Sequence, residues 1–319
     1  MNRTSIEWAD YSVNPIRARN IATGKAGWHC ERVSEGCAAC YASTLSKRFG
    51  GLDYAADKTP KVEFFLDEKT LQKMLTFRPK GPFKNGRDRP AVFVEDMSDL
   101  FGHWVTNEWL DRIFAVFALR ADVDWLVLTK RARRMREYLS EPLSSLVRRG
   151  ALHVIADEIR PGAPVPVAWP LPNVWPGVSC ENQARADERI PDLLATPAAR
   201  RFISAEPLLG PVDLSCYMWP VHDRWPSAFW SPDAARAAGA VVTRHRQALV
   251  SASAVFLNWV IVGGESGHGA RPCEVSWIRS IRDQCAAAGV PCFVKQDSAP
   301  RPGMQGRIPN ELFVKEMPL

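Results

Sequence analysis

The sequence predicts an α/β protein that folds as an incomplete TIM-like (β/α) barrel, with a cysteine-bearing N-terminal loop and a long insertion. Short apolar runs, helical patterns between them and polar groups at the ends of the runs carry this prediction. Near-continuous apolar runs are typical of strands that are buried on both faces, as in a parallel sheet. Six or seven such strands alternating with helices favour a barrel over an open doubly wound sheet.

The predicted strands are apolar runs that end abruptly in polar residues. They lie at 91–99, 125–130, 177–182, 202–207, 259–266 and 292–297. One helix is predicted over residues 108–119, where the apolar residues share a face: Trp109, Leu110, Ile113, Phe114 and Phe117. Another helix is predicted before the last strand, where Ser276 is expected to cap its start and Gly289 to end it.

Two segments interrupt this alternation. Residues 159–172 contain too many prolines for a helix or a central strand, so we expect an extended connector there. Residues 211–257 form a long stretch that contains Trp and Pro, with one helix predicted over 232–240. On the active face of a barrel, an insertion of that length is expected to be a lid or a substrate-recognition element. Because barrel-like strands continue on both sides of it, we predict a single domain over residues 1–319.

Composition and charge narrow the class of protein. The chain has 319 residues, with 41 Lys and Arg against 35 Asp and Glu, and a formal charge of +6. This mild excess is compatible with a polyanionic partner such as a nucleic acid. The polar start predicts no signal peptide, and no apolar run reaches the ~20 residues of a membrane helix. We therefore expect a cytoplasmic protein, in which clustered thiols more often bind metal than form disulfides.

Three clustered cysteines are the strongest chemical signal in the sequence. Cys30, Cys37 and Cys40 have the spacing C-x6-C-x2-C. Three thiolates are one short of a closed tetrahedral zinc site, and they suit a [4Fe-4S] cluster with one iron left free for a ligand. His29 offers a Cys3His zinc site as the alternative, although adjacent ligands rarely reach one tetrahedral ion. The other five cysteines are scattered and are expected to be small buried hydrophobic residues.

Polar groups follow each predicted strand, where the catalytic loops of a parallel barrel gather. They are Glu95 and Asp96, Thr129 and Lys130, Glu181 and Asn182, Glu206, Glu265 and Ser266, and Lys295 and Gln296. Any strand must end in something polar, but six ends with ionisable or amide groups predict one ring of side chains that faces the cysteine loop.

Motifs along nearly the whole chain carry a family resemblance. The matching stretches are Glu7-Trp-Ala-Asp10 with Asn14-Pro15, the three-cysteine motif, 97–101, 128–131, 173–179 with 181–183, 205–213, 262–267 with 270–272, and Lys295-Gln296. In these stretches the chain resembles a phage-associated and bacterial family of three-cysteine-motif proteins, regarded as divergent relatives of the radical S-adenosylmethionine (SAM) enzymes. That superfamily usually has C-x3-C-x2-C, so the first gap is wider here, and residues 17–28 are expected to be an insertion.

The resemblance implies a cofactor and a set of ligands. SAM would chelate the free iron of the cluster, and an electron donor would drive cleavage of its sulfonium. The residues expected around SAM are those at successive strand ends: Glu95, Ser179, Glu181, Glu206 and Glu265. The stretch Gly263-Gly-Glu265 resembles the Gly-Gly-Glu element of radical SAM enzymes but lies on a late strand. Glu265 therefore either lines the pocket or closes a turn.

A basic run follows the second predicted strand: Lys130, Arg131, Arg133 and Arg134. Cations at the start of a helix oppose its dipole, which suggests that they bind phosphates of a nucleic acid; the alternative is a solvated helix face.

Three functions stay open. They are a radical SAM-type enzyme acting on a nucleic acid or nucleotide, a cluster- or zinc-bearing nucleic-acid-binding protein without SAM turnover, and a barrel with a structural metal that acts in a partner complex.

Overall fold

The central element is an eight-stranded, mostly parallel sheet, seen in a computed structural model that describes residues 1–48, 61–140, 156–158, 161–162, 169–218 and 256–318. The strands in chain order are β1 (Asn2–Arg3), β2 (Tyr11–Val13), β3 (Ile16–Asn20), β4 (Ala26–Gly27), β5 (Val62–Leu66), β6 (Ala91–Val94), β7 (Asp124–Thr129), β8 (Val174–Ser179), β9 (Phe202–Ala205), β10 (Trp259–Val262) and β11 (Cys292–Val294). The order in the sheet is β1-β2-β6-β7-β8-β9-β10-β11, and only the β1–β2 pair is antiparallel. The six predicted strands are confirmed.

The sheet is curled around the indole of Trp8. In a flat sheet, β6 and β10 would lie ~19 Å apart, because neighbouring strands are ~4.8 Å apart. Yet the ring centroid of Trp8 is 4.6 Å from that of Phe93 on β6 and 6.2 Å from that of Trp259 on β10. Side chains from every strand between β6 and β11 share this inner cluster: Ala91, Phe93, Leu126, Trp175, Phe202, Trp259, Ile261 and Phe293.

Both edges of the sheet are covered by short antiparallel segments, and the sheet is not closed. Within the described residues, β1 and β11 are the two ends of the sheet and do not pair with each other. β1 covers β2, and on β11 the amide of Val294 donates to the carbonyl of Val314 at 2.8 Å. β1 is only two residues long, and very short or covered edges resist pairing with another chain, which protects an open sheet from aggregation. The fold is thus a mixed α/β fold with a mostly parallel sheet.

Helices connect the parallel strands on the outside of the sheet. They are α1 (Tyr41–Arg48), α2 (Glu68–Leu75), α3 (Asn107–Leu119), α4 (Ala132–Ser140), α5 (Gln183–Ala195), α6 (Ser215–Met218) and α7 (Val275–Ala288). In α3 the hydroxyl of Thr106 accepts a hydrogen bond from the amide of Trp109, which satisfies one of the free amides of the first turn. Four of the five residues of the predicted inner face of α3 are buried, Leu110, Ile113, Phe114 and Phe117, whereas Trp109 is half-buried.

The predicted cap of α7 is wrong at its start and right at its end. The helix begins at Val275, with Glu274 before it, and the carbonyl of Glu274 already accepts the amide of Trp277 at 3.0 Å. Ser276 therefore lies inside the first turn, where its hydroxyl cannot act as the N-cap. Gly289 ends the helix in the left-handed region, with φ 66°, a conformation that glycine adopts without steric cost.

A small antiparallel sheet of three strands flanks the cysteines in the chain, with β3 and β4 before them and β5 after them. The predicted insertion, residues 17–28, contributes the hairpin of β3 and β4, and β5 pairs with the other edge of β3. The guanidinium of Arg17 lies 4.5 Å from the ring centroid of Trp28 and donates to the carbonyl of Gly27 at 3.0 Å. The hairpin therefore fixes the point at which the chain enters the cysteine-containing segment.

Some of the predicted segments lie outside the described residues. Of the connector 159–172, only 161–162 and 169–172 are described, and of the insertion 211–257 only 211–218 and 256–257. The predicted helix over 232–240 and the lid function of the insertion are therefore not described. Among the helices that are described, none combines the length and apolarity that crossing a membrane requires.

Replacing Trp8 by Ala tests the curled core. Trp8 is 3% exposed, and truncating a buried aromatic side chain costs about 3–5 kcal/mol. We expect the free energy of unfolding, measured by chemical denaturation, to fall by that amount. Ile21→Ala, at a residue that is 62% exposed, should change it by less than ~0.5 kcal/mol. A loss below about 1 kcal/mol for Trp8→Ala would contradict the packing described above.

Candidate functional site

The three cysteines lie on one loop, residues 28–40, that is held against the carboxyl ends of the parallel strands. We call this segment the cysteine loop; it joins β4 to α1 and contains a single 3₁₀ turn, Glu35–Cys37. Its anchors are side chains that follow four different strands: Ser98 after β6, Arg131 after β7, Glu181 after β8 and Arg271 after β10. The loop therefore spans the end of the sheet where barrel enzymes gather their chemistry.

Hydrogen bonds to backbone carbonyls fix both halves of the loop. In the first half, the hydroxyl of Ser98 donates to the carbonyl of His29 at 2.7 Å. In the second half, Arg271 Nη1 donates to the carbonyl of Glu35 at 3.0 Å, and Arg185 binds the carboxylate of Glu35 through two contacts of 3.1 Å. The position of the cysteines is thus set by residues far away in the sequence.

The thiols lie in mutual electrostatic range. Cys30 and Cys40 pack against Ala42 and Met97. The pKa of the Cys30 thiol is raised to about 12, mainly by burial and then by Asp99, while Arg131 acts in the opposite direction. Cys37 and Cys40 also raise the pKa of Cys30, so both lie within electrostatic range of the Cys30 thiol.

No mononuclear metal site is preformed in the described ranges. In the parts of the chain that the structure describes, no three His, Cys, Asp or Glu side chains converge on a point that one metal ion would occupy. A zinc ion needs its ligands at ~2.0–2.3 Å from a single centre. The cysteines of an iron–sulfur cluster bind different irons and so converge less tightly.

Glu181 is the buried carboxylate on which the cysteine loop rests. It is 0% exposed, and its oxygens lie 3.3 Å from Lys130 Nζ, 2.8 Å from Arg189 Nη1 and 2.7 Å from the donating hydroxyl of Ser34. Burial alone would raise the pKa of Glu181, but Lys130 and Arg189 outweigh burial, and the pKa is lowered. Glu181 is therefore ionised and neutralised by two cations.

Gly36 permits the close approach of the loop to this carboxylate. A Cβ atom at Gly36 would lie 2.4 Å from Glu181 Oε1 and 2.5 Å from Glu181 Cγ. These distances are below any van der Waals contact, so a larger residue would push the cysteine loop away from the strand end. The hydroxyl of Ser34 connects the same carboxylate to the cysteines, because it lies 3.8 Å from Cys37 Sγ.

Glu95 has the most strained position among the predicted site residues. It follows β6 with φ 61°, in the left-handed region that non-glycine residues rarely adopt, and it is 1% exposed. Its Oε1 accepts the amide of Ile16 at 2.6 Å, whereas its Oε2 is buried and has no hydrogen-bond partner among the described residues. Burial raises the pKa of Glu95 well above its usual value.

Glu206 and Glu265 each bind a cation of the chain, Lys295 and Arg271 respectively. Glu206 lies 2.5 Å from Lys295 Nζ, at the end of β11. Glu265 lies 2.5 Å from Arg271 Nη2 and accepts the backbone amide of Arg271 at 2.9 Å, and its pKa is lowered because these bonds outweigh burial. Glu265 thus closes its own turn and orients Arg271 toward the cysteine loop.

Ser179 is buried at the end of β8, where its carbonyl accepts Arg189 at 2.8 Å.

The basic run after β7 is divided between two environments. Lys130 and Arg131 lie under the cysteine loop, through their contacts with Glu181 and Asp99. Arg133 is 79% exposed and pairs with Glu137 one turn along α4, and Arg134 donates to the side chain of Asn107. The four residues therefore do not form one continuous cationic surface.

Two residues that position the site, Asp99 and Arg189, were not among the predicted site residues. Asp99 accepts hydrogen bonds from Thr129 Oγ1 at 2.6 Å and Arg131 Nη1 at 2.9 Å, so it ties the end of β6 to that of β7. Arg189 is buried on the inner face of α5, next to Ile190. A lone arginine within an apolar helical stripe is the sequence signal that marks Arg189, because a buried cation needs a partner.

Replacing Glu95 by Gln tests the buried, unpaired oxygen. A raised pKa means that the folded state binds the proton more tightly, so stability is full below the unfolded pKa of ~4.3 and falls as pH rises toward the folded pKa. Gln keeps an acceptor for the amide of Ile16 and cannot ionise. Chemical denaturation should therefore show Glu95→Gln gaining stability over the wild type as pH rises from 5 to 8, by about 1 kcal/mol or more at pH 8.

The matched control for that experiment is Glu63→Gln, because the side chain of Glu63 is 59% exposed and pairs with Arg19 on the surface. The free energy of unfolding of Glu63→Gln should stay within ~0.5 kcal/mol of the wild-type value at every pH. Parallel stability curves for Glu95→Gln and the wild type would show that Glu95 carries no buried charge.

Comparison with known proteins identifies a family. A family model described as a protein of unknown function, DUF5131, matches residues 3–307, a range that contains the cysteine loop and all of its anchors. No curated protein and no solved structure matches the chain significantly. Since the match covers most of its length, the chain belongs to the DUF5131 family of proteins of unknown function.

Proposed function

We propose that this chain is an iron–sulfur protein of the radical SAM type, with an incomplete TIM-like barrel, that acts on a nucleic acid or nucleotide. The observation that carries the proposal is the position of the cysteine loop across the carboxyl ends of β6, β7, β8 and β10. Parallel barrels gather reactive groups at this end of the sheet. The hydrophobic cluster around Trp8 fills the opposite part of the curled sheet and leaves the strand ends to polar residues.

The residues of the loop fit a [4Fe-4S] cluster. Cys30, Cys37 and Cys40 supply three thiolates from one short segment, which leaves one iron of a cluster without a protein ligand. The charge of three thiolates needs compensation, and Lys130 and Arg131 lie against the two halves of the loop. A cluster held there would supply electrons, received from a donor, for cleavage of a SAM sulfonium bound to its free iron.

The predicted SAM ligands separate into two groups by their present partners. Glu181 and Glu265 are saturated by cations and support the cysteine loop, directly or through Arg271. Among the described residues, one oxygen of Glu95 has no hydrogen-bond partner, so we assign Glu95 to the ammonium of SAM, whose positive charge would oppose the effect of burial on the pKa of this carboxyl. Ser179 and Glu206 lie at the ends of the neighbouring strands β8 and β9, and we assign both to the same binding site, where Glu206 already binds Lys295.

A second candidate is a cluster-bearing nucleic-acid-binding protein without SAM turnover. The observation that favours it is that three of the predicted ligands, Glu181, Glu206 and Glu265, already bind cations of the chain itself. The formal charge of +6 supports a polyanionic partner for both candidates. Exposed Arg133, with Arg134 beside it, is the part of the basic run that remains available for phosphates.

Metal content tests the cluster. We expect anaerobically purified wild type to be brown and to contain iron and acid-labile sulfide in equal amounts, about four of each per chain. Cys30→Ala, Cys37→Ala and Cys40→Ala should each lose most of the iron. Cys216→Ala is the matched control, because Cys216 is exposed and lies outside the loop. Unchanged iron in all three loop variants, or stoichiometric zinc in place of iron, would overturn the assignment.

Turnover separates the two candidates. Reduced wild type incubated with SAM should release 5′-deoxyadenosine, and the Cys37→Ala variant should release none. DNA or RNA oligonucleotides should raise the rate if a nucleic acid is the substrate. A protein that keeps its iron, binds oligonucleotides and releases no 5′-deoxyadenosine would favour the second candidate. Turnover that no oligonucleotide or nucleotide affects would contradict the proposed substrate class.

A further inference from the structure

Two consecutive cations after β7 are directed at opposite halves of the cysteine loop. Lys130 Nζ lies 3.3 Å from Glu181 Oε1, and this oxygen also accepts the hydroxyl of Ser34, three residues before Cys37. Arg131 Nη2 donates to the carbonyl of Glu31, next to Cys30, at 3.5 Å. Because adjacent residues of an extended chain point in different directions, one segment reaches both ends of the three-cysteine motif.

Both cations are held in place by groups other than the loop. The amide of Lys130 donates to Asp99 Oδ2 at 3.2 Å, and the amide of Arg131 donates to Thr129 Oγ1 at 2.9 Å. The guanidinium of Arg131 binds Asp99 at 2.9 Å and lies 4.7 Å from the ring centroid of Trp104. Their side chains are 22% and 14% exposed, respectively, so solvent screens their charges only in part.

The electrostatics of the thiols agree with this geometry. Burial lowers the pKa of Lys130, but Glu181 and, after it, Cys37 and Cys40 raise it by more. Burial likewise lowers the pKa of Arg131, and Asp99 and Cys30 outweigh it. Lys130 thus lies within electrostatic range of the second and third cysteines, and Arg131 within range of the first.

We propose that Lys130 and Arg131 are positioning residues that set the reduction potential of the cluster, rather than contacts for nucleic-acid phosphates. The inference rests on the proposed [4Fe-4S] cluster. One-electron reduction adds a negative charge to a cluster, so a fixed cation nearby stabilises the reduced form and raises the potential. Groups around the ligands of a metal site tune it in this way without binding the metal. Arg133 and Arg134 belong to the same run, but they contact Glu137 on α4 and Asn107 on α3, and they have no such role.

A redox titration of the full-length protein, monitored by electron paramagnetic resonance after anaerobic purification, tests the proposal. Lys130→Gln and Arg131→Gln should keep their iron and become harder to reduce. At the wild-type midpoint, the ratio of oxidised to reduced cluster should rise about tenfold, which is ~59 mV for a one-electron couple. Arg131→Lys should restore most of the wild-type potential, and Arg133→Gln and Arg134→Gln should not change it.

The outcomes distinguish this proposal from the one on which it rests. Wild-type potentials in iron-loaded Lys130→Gln and Arg131→Gln would overturn the role of the two cations and leave the cluster assignment intact. A wild type that binds no iron would overturn both. If Lys130→Gln fails to fold because Glu181 keeps only Arg189, the result for Arg131→Gln decides, since Asp99 then retains Thr129 and two backbone amides as donors.

Discussion

The buried carboxylate of Glu181 connects the parts of this molecule that would otherwise be independent. Its oxygens bind Lys130 from the end of β7, Arg189 from α5 and Ser34 from the cysteine loop, and the absence of a side chain at Gly36 lets the loop approach it. Removing one member of such a buried set leaves an uncompensated charge, which typically costs about 3–5 kcal/mol. The arrangement therefore favours one position of the cysteine loop over others.

The curled sheet separates the hydrophobic interior from the chemical end of the fold. Trp8, with Phe93 and Trp259, fills the inner face of the sheet, and the buried carboxylates Glu95, Glu181 and Glu265 come after the carboxyl ends of the strands. At those ends most charges neutralise one another, while Glu95 remains strained, buried and only half hydrogen-bonded. Backbone strain of the kind seen at Glu95 persists in a native structure only where the surroundings enforce it, and it is commonly found at functional sites.

The local sequence pattern predicted much of the fold, but it could not predict contacts between residues that are far apart in the sequence. Continuous apolar runs located six parallel strands, and the periodicity of α3 located its buried face, because both depend on neighbouring residues. The partners of Glu181, Glu265 and Glu206 are set by tertiary contacts, so the sequence showed carboxylates at strand ends but not that cations already bind them. The division of the run from Lys130 to Arg134 between two environments depends in the same way on where α4 begins.

The position of the metal decides whether the three cysteines of the loop bind an iron–sulfur cluster. A crystal structure of the anaerobically purified protein, with anomalous diffraction measured on both sides of the iron absorption edge, locates iron without reference to the protein coordinates. We expect one compact group of iron peaks bounded by Cys30, Cys37 and Cys40, on the side of the loop that faces Lys130 and Arg131. A single zinc ion bound by these cysteines, or iron bound elsewhere in the chain, would contradict it.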